Sequence, residues 1–453
     1  MKMEKIKIGV FAFTKASWLT PKIENIVDAT VKNLRTIPDA EILFDGLVCD
    51  EAASIRQAER FVSERVDAVI MYFVTFPAGA MIPAAASRIN VPILLLANPE
   101  VPGPGKLWEQ NSFCGANMAA HGMNRLRKRY SFTFASPEET AAKLATPLAA
   151  VRASAGLKKL KIGLAGGRVP GFYTSNFDEL QLRRDFGTTV EVLELLEVFD
   201  TARKLDGAEL AAARKTVREN AAGCCQVADS DLELAARLFG AFCAVAKKYG
   251  LDGYAVRCWP ELSDIFGIAP CAVLGMLSNC GLGTACEGDV NGAVTMKLLE
   301  FLAGGGIAFF VDLISFDERE NTGVVWHCGA APTKLCRKFD ETTFRLHMRV
   351  DGGDKKGLTC DFPLKSGRVT IAKFDLDADN KPRMLIVPGE ALDTEDFLRG
   401  NPLRIRFDAK VKQVIDTVME RGFEHHYAVI HADVAEELKI FCRWFGIEAV
   451  FVG

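Results

Sequence analysis

The sequence predicts an α/β protein with two Rossmann-like parallel-sheet domains followed by a C-terminal antiparallel β-barrel. Three observations carry that prediction. Short, continuous apolar runs alternate with helical stretches over most of the chain. Strands read this way when helices cover both faces of a parallel sheet. The opening motif Lys7-Ile8-Gly9-Val10 then reappears as Lys161-Ile162-Gly163-Leu164, as if a second sheet starts there. Beyond about Pro332 the apolar period falls to two and tight-turn residues separate the runs. That pattern belongs to antiparallel strands.

The elements follow in order. Residues 6–13 form the first strand, 23–34 a helix, 41–44 a strand, 51–64 a helix, and 68–73 and 92–97 buried strands. An Ala-rich helix over about 137–155 leads to a boundary at 156. The second α/β domain, 157–332, takes strands at 190–195 and 253–256, and helices at 230–248 and 290–302. The third domain, 333–453, holds alternating strands at 344–350 and 367–374. Turn signals lie at Asp351-Gly352-Gly353, Asp377-Ala378-Asp379-Asn380 and Pro388-Gly389. A helix at 434–445 and a strand at 449–452 return the chain to pack on an α/β domain.

A length of 453 residues suits two or three domains. The formal net charge of −3 gives no basic face for nucleic acid or a membrane surface. No apolar run approaches the ~20 residues of a membrane span, and the charged start (Met1 to Lys7) is unlike a secretory leader. The 13 cysteines are scattered and lack Cys-x-x-Cys spacing, which reads as free, buried thiols in a reducing cytoplasm.

The Gly163-Leu164-Ala165-Gly166-Gly167 turn follows a strand but fits no dinucleotide or P-loop fingerprint. It reads as a tight turn at the mouth of the sheet. Two carboxylates stand out. Glu287 sits at a loop–helix junction where Asp289 is the better helix cap, so Glu287 has no structural task. Asp312 ends the apolar run Ala308-Phe309-Phe310-Val311, where a carboxylate is costly unless paired or bound to metal. Strand ends of this kind are where α/β sites gather. Histidine is scarce, with six in the chain, yet His425 and His426 are adjacent, and His327 follows an apolar strand. Two carboxylates with an imidazole form an O/N donor set suited to Mn²⁺, Co²⁺ or Mg²⁺. A buried salt-bridge network is the competing reading.

Cys286-Glu287-Gly288-Asp289, the later Asp312, and Gly422-Phe423-Glu424-His425-His426 resemble the L-fucose isomerase and L-arabinose isomerase family. The likeness is strongest over about 270–332 and 422–447. It implies Mn²⁺ held by Glu287, Asp312 and His426, selecting His426 over His425, with His327 a further ligand or a substrate contact. It implies aldose–ketose interconversion through a cis-enediol, with Glu287 and Asp312 as catalytic acid and base. The substrate would be a pentose, a 6-deoxyhexose or a related sugar. Arg257, Trp259 and Tyr173 would line its site, along with Trp18, Met118 and His121. The last two lie in Asn117-Met118-Ala119-Ala120-His121-Gly122, a segment that serves a neighbouring subunit in arabinose-type enzymes. Homotrimers or hexamers with interface sites follow from the same resemblance. Met118 replaces the glutamine typical there, and the chain is shorter than typical members, so the sugar is left open. An epimerase of a modified sugar, or a non-enzymatic sugar binder, are the alternatives.

Overall fold

A computed structural model describes residues 5–220, 224–347 and 356–453. The turn expected at 351–353 and the strand residues 348–350 lie outside the described residues, as does the start of the chain, 1–4. The chain forms two compact units: Lys2–Ala155 with Glu436–Gly446, and Gly156–Ala435 with Ile447–Gly453.

The first unit is a parallel sheet of five strands. Its spatial order is Ala40–Val48, Ile6–Phe13, Ala68–Phe73, Ile93–Ala97 and Ser131–Phe134. Phe11, Phe13, Phe61 and Phe73 fill the core on one face, with Phe11 edge-on to Phe61 at 4.9 Å. Helix Pro21–Leu34 begins where Thr20 accepts from the Ile23 N–H (3.3 Å) and proline takes the first helical position.

The second unit holds a four-stranded parallel sheet, ordered Gly283–Ala285, Gly253–Val256, Lys161–Ala165 and Thr189–Leu193. It also holds a closed barrel of six antiparallel strands. The ring runs Gly367–Leu376, His426–Ile430, Ala308–Asp317, Thr322–Trp326, Leu403–Phe407 and Pro382–Ala391, then closes on the first. The barrel thus recruits two strands that precede residue 333. Asp312 accordingly lies within an antiparallel barrel strand and not at the end of a parallel one. The apolar run hid this because the strand continues beyond Asp312 to Asp317.

Two further expectations change. Thr343–Leu346 joins no barrel strand. It pairs with Gly357–Asp361 and Cys224–Cys225 in a separate small sheet. The chain end divides: helix Ala435–Phe445 falls almost wholly in the first unit, while strand Glu448–Phe451 adds in parallel to the barrel strand Pro382–Ala391. No helix among the described residues is long and apolar enough to cross a membrane.

Helix Val290–Leu302 is the pivot of the second unit. Every residue in it is buried. One side packs on the parallel strands and the other on barrel strands His426–Ile430, Gly367–Leu376 and Ala308–Asp317. A helix buried on every face needs such a sandwich. Its two buried charges, Lys297 and Glu300, neutralise one another at 2.7 Å.

Helix Cys271–Asn279 packs nearly as tightly. A Cβ added at Gly275 would lie 2.4 Å from the carbonyl oxygen of Ala331, a backbone atom with no room to yield. Gly275→Ala is expected to cost about 1–3 kcal/mol through overpacking. A lowered urea midpoint checks this, and an unchanged midpoint contradicts it.

Candidate active site

The site begins with a sharp turn. Glu287 adopts φ +58° and Gly288 φ +73°, so the chain reverses between strand Gly283–Ala285 and the buried helix. A left-handed non-glycine residue costs on the order of 1–2 kcal/mol, and surrounding packing must hold it. Gly288 supplies that packing. A Cβ there would lie 2.4 Å from the Gly167 carbonyl oxygen, so the Gly166-Gly167 turn packs directly on it. The glycine-rich turn is therefore a close-packing surface for the site.

Glu287 Oε2 accepts from His426 Nε2 at 2.8 Å, and Oε1 accepts from Trp259 Nε1 at 3.3 Å. Burial pushes the Glu287 carboxyl up, but the His426 hydrogen bond and charge prevail and hold it below its ordinary value. His426 is fully buried against the Phe310 ring, with centroids 4.6 Å apart. Its Nδ1 faces Asp289 Oδ2 at 3.2 Å and Glu424 Oε2 at 3.5 Å. Burial opposes charge on this ring, yet hydrogen bonds to Asp289 and Glu287 push it up to about 9.

Asp289 does two jobs. Oδ1 accepts from the Gly292 N–H (2.7 Å) and caps the buried helix, as the sequence predicts. Oδ2 meets His426 and the ammonium of Lys373, the latter at 2.7 Å. Lys373 also pairs with Glu424. Burial would raise the Asp289 carboxyl, but Lys373 and His426 hold it well below the usual range.

Asp312 pairs in register with His426 on one neighbouring barrel strand and with Trp326 on the other. Its Oδ1 is buried without a hydrogen-bond partner. Asp312 and Glu287 line one cavity of roughly 380 Å³ with Trp259, Trp326, His327 and Lys356.

The matching family description, "Fucose/sulfoquinovose isomerase, N-terminal domain", covers residues 11–158. A sulfoquinovose isomerase of Alkalicoccus urumqiensis is 31% identical over 398 residues, covering 86% of this chain and 87% of that one. One from Priestia aryabhattai is 29% identical over 390 residues, covering 85% of each. The chain belongs to the fucose/sulfoquinovose isomerase family. It is a sugar aldose–ketose isomerase of the fucose isomerase type, which decides between an enzyme and a pure sugar binder.

Among the described residues of this isomerase, two carboxylate–histidine groups could hold a cation: Glu287, His425 and His426, or Asp289, Glu424 and His426, each with ligand atoms within 4.8 Å. The second already carries the Lys373 ammonium, which would repel a metal. The first opens on the cavity and fits a divalent ion of mixed O/N preference. Asp289 behind His426 Nδ1 would hold the proton on Nδ1, so that an ion displacing the Nε2 proton would meet a lone pair there. Asp312, expected as a ligand, joins neither group; its unpartnered oxygen lines the same cavity as Glu287.

Other residues expected at the site scatter. His327 is buried and lines the cavity, but it joins neither donor group; its Nδ1 accepts from the Cys328 N–H at 2.9 Å. Trp259 lines the cavity. Arg257 does not: it pairs with Glu261 and donates to the Gly166 carbonyl (3.3 Å), a structural role at a strand end. Tyr173 is 77% exposed under the Arg168 guanidinium and lies outside the cavity lining. Trp18, Met118 and His121 belong to the first unit. There Trp18 lies beneath the Lys15 ammonium, and half-buried Met118 and exposed His121 sit on helix Ser112–Arg125. His347, read as part of a barrel strand, instead follows Thr343–Leu346 and lines the cavity.

Sequence reasoning missed Lys373 and Glu424. Lys373 carried a usable signal: a lone lysine within Val369-Thr370-Ile371-Ala372-Lys373-Phe374 is as costly to bury unpaired as Asp312.

Lys373→Met leaves Asp289 and Glu424 buried without their cation. Chemical denaturation should show a loss of about 3–5 kcal/mol, the cost of breaking a buried ion pair. A loss near that of an exposed pair such as Lys412–Asp416, about 0.2–1 kcal/mol, would contradict the network.

Proposed function

We propose that this enzyme is a divalent-metal-dependent isomerase of a sulfonated aldose such as sulfoquinovose, with Mn²⁺ the best-suited ion. The carrying observation is the Glu287–His426 hydrogen bond at the wall of a cavity that Glu287 and the unpartnered Asp312 oxygen both line. Glu287, Asp312 and His426 would hold the metal, with His425 in reach of Glu287 and His426. Bound there, the cation supplies Lewis-acid stabilisation of the negative charge that builds on adjacent sugar oxygens.

The protein's own groups carry the proton. Glu287 and Asp312 take it from one of the two carbons C1 and C2 and return it to the other, through a cis-enediol. Trp259 aims Glu287 by its indole N–H, and Asp289 with Lys373 keeps the His426 ring oriented. Trp259 and Trp326 offer apolar faces to the sugar ring atoms.

The sulfonated substrate is supported by the relatives and by charge in the cavity. Lys356 lines it beside the carboxylates. The Lys356 ammonium donates to the Ser263 carbonyl at 2.6 Å and keeps two further N–H donors for an anion. A 6-deoxyhexose or pentose would leave that charge unused. We also place the enzyme in the cytoplasm, where its free thiols persist, and read it as a homo-oligomer. The exposed, mutually packed Phe113, Phe132 and Phe134 favour such an assembly.

Chelation with EDTA should abolish turnover of sulfoquinovose, and Mn²⁺ should restore it. Glu287→Gln should lower kcat by about 10²–10⁴-fold with the fold intact by circular dichroism. Full activity in either case contradicts the proposal. In D₂O, a ketose product labelled at C1 supports isomerisation, whereas an aldose inverted at C2 supports the epimerase reading. Lys356→Met should raise KM for the sulfonated sugar more than for its 6-deoxy analogue, and an equal rise contradicts the anion assignment.

A further inference from the structure

The same cavity carries a second kind of donor. Cys271, at the start of helix Cys271–Asn279, is buried and places its sulfur 3.5 Å from that of Cys328, just past barrel strand Thr322–Trp326. The imidazole of His347, after strand Thr343–Leu346, joins them with all ligand atoms within 4.8 Å. Three separate elements converge, and all three residues line the cavity beside Glu287 and Asp312.

The spacing suits a shared ion. With zinc–sulfur bonds of about 2.3 Å, two thiolates on one tetrahedral ion lie roughly 3.8 Å apart. Cys258 and Cys286 make an internal contrast. Their sulfurs are 3.0 Å apart, too close for that geometry, and among the described residues no imidazole is grouped with them. Two sulfurs and one nitrogen select a thiophilic ion such as Zn²⁺, while the oxygen-rich Glu287 group suits Mn²⁺. Three protein ligands leave a fourth position open, as in zinc sites with an exchangeable ligand.

We propose that Cys271, Cys328 and His347 form a distinct soft-metal site that takes Zn²⁺ and opens on the sugar cavity. Binding exchanges two thiol protons for one ion: Zn²⁺ replaces both S–H protons, which pass to solvent, and the neutral imidazole donates its lone pair. Because the fourth position opens on the cavity, Zn²⁺ there obstructs the sugar. That inhibitory consequence rests on the function proposed above, whereas the binding does not.

The test uses the full-length enzyme with Co²⁺ as the spectroscopic probe and Zn²⁺ as competitor. Co²⁺ should develop a thiolate-to-metal charge-transfer band that Zn²⁺ bleaches. Glu287→Gln should retain the band and Cys328→Ser should lose it. No band, or a band that survives Cys328→Ser, overturns the site. Should Cys328→Ser fail to fold, wild-type protein decides. Zn²⁺ must shield Cys271 and Cys328 from a thiol reagent while the exposed Cys114 and Cys225 still react, and reaction of Cys271 and Cys328 undiminished by Zn²⁺ overturns the site. Cys271→Ser should raise the Zn²⁺ concentration for half-inhibition at least tenfold. If the band is lost while inhibition is unchanged, the site stands and its placement against the sugar fails.

Discussion

The site depends on one buried chain of charge, running from Lys373 through Asp289 and His426 to Glu287. Isolated, each of these groups would be expensive to bury. Joined, they share their protons and charges, and each fixes the orientation of the next. The chain also ties the architecture together. Asp289 caps the fully buried helix, Lys373 and His426 come from two barrel strands, and Glu287 leaves a strand of the parallel sheet. Fold and chemistry therefore share the same residues. A change in the relative position of sheet and barrel would break the hydrogen bonds that aim the Glu287 carboxylate.

Much of this was legible in the sequence because burial makes polar residues conspicuous. Strands at 68–73 and 253–256 and the helix at 290–302 follow directly from apolar period and length. Glu287 and His426 were visible as a carboxylate without a structural task and one of an adjacent pair of imidazoles. The partners were harder. Asp312 was noticed for the right cost but assigned to the wrong kind of strand. Ala308-Phe309-Phe310-Val311 is apolar at every position and reads alike in a parallel sheet or in a barrel wall covered by a buried helix. Arg257 satisfied the pattern of a ligand-facing strand end, yet Glu261, four residues on, captures it. The cysteines were read as inert core. Three-dimensional convergence from helix, strand and loop has no sequence period, so nothing local marked Cys271 and Cys328 as neighbours.

The cavity thus presents two donor sets of different character. Carboxylate and imidazole around Glu287 and His426 answer to ions that favour oxygen and nitrogen. Sulfur around Cys271 answers to thiophilic ions. The Lys373 ammonium adds a further distinction, because it neutralises Asp289 and Glu424, while Glu287 faces the cavity. Electrostatics, and not ligand count alone, distinguishes the two carboxylate–histidine groups.

The most direct test of the account is where Mn²⁺ settles. Anomalous diffraction from crystals of the enzyme grown with Mn²⁺ should show a peak bonded to Glu287, Asp312 and His426 at the edge of the cavity. A peak between Asp289 and Glu424, or none near Glu287, would contradict the assignment of the metal and of the catalytic carboxylates.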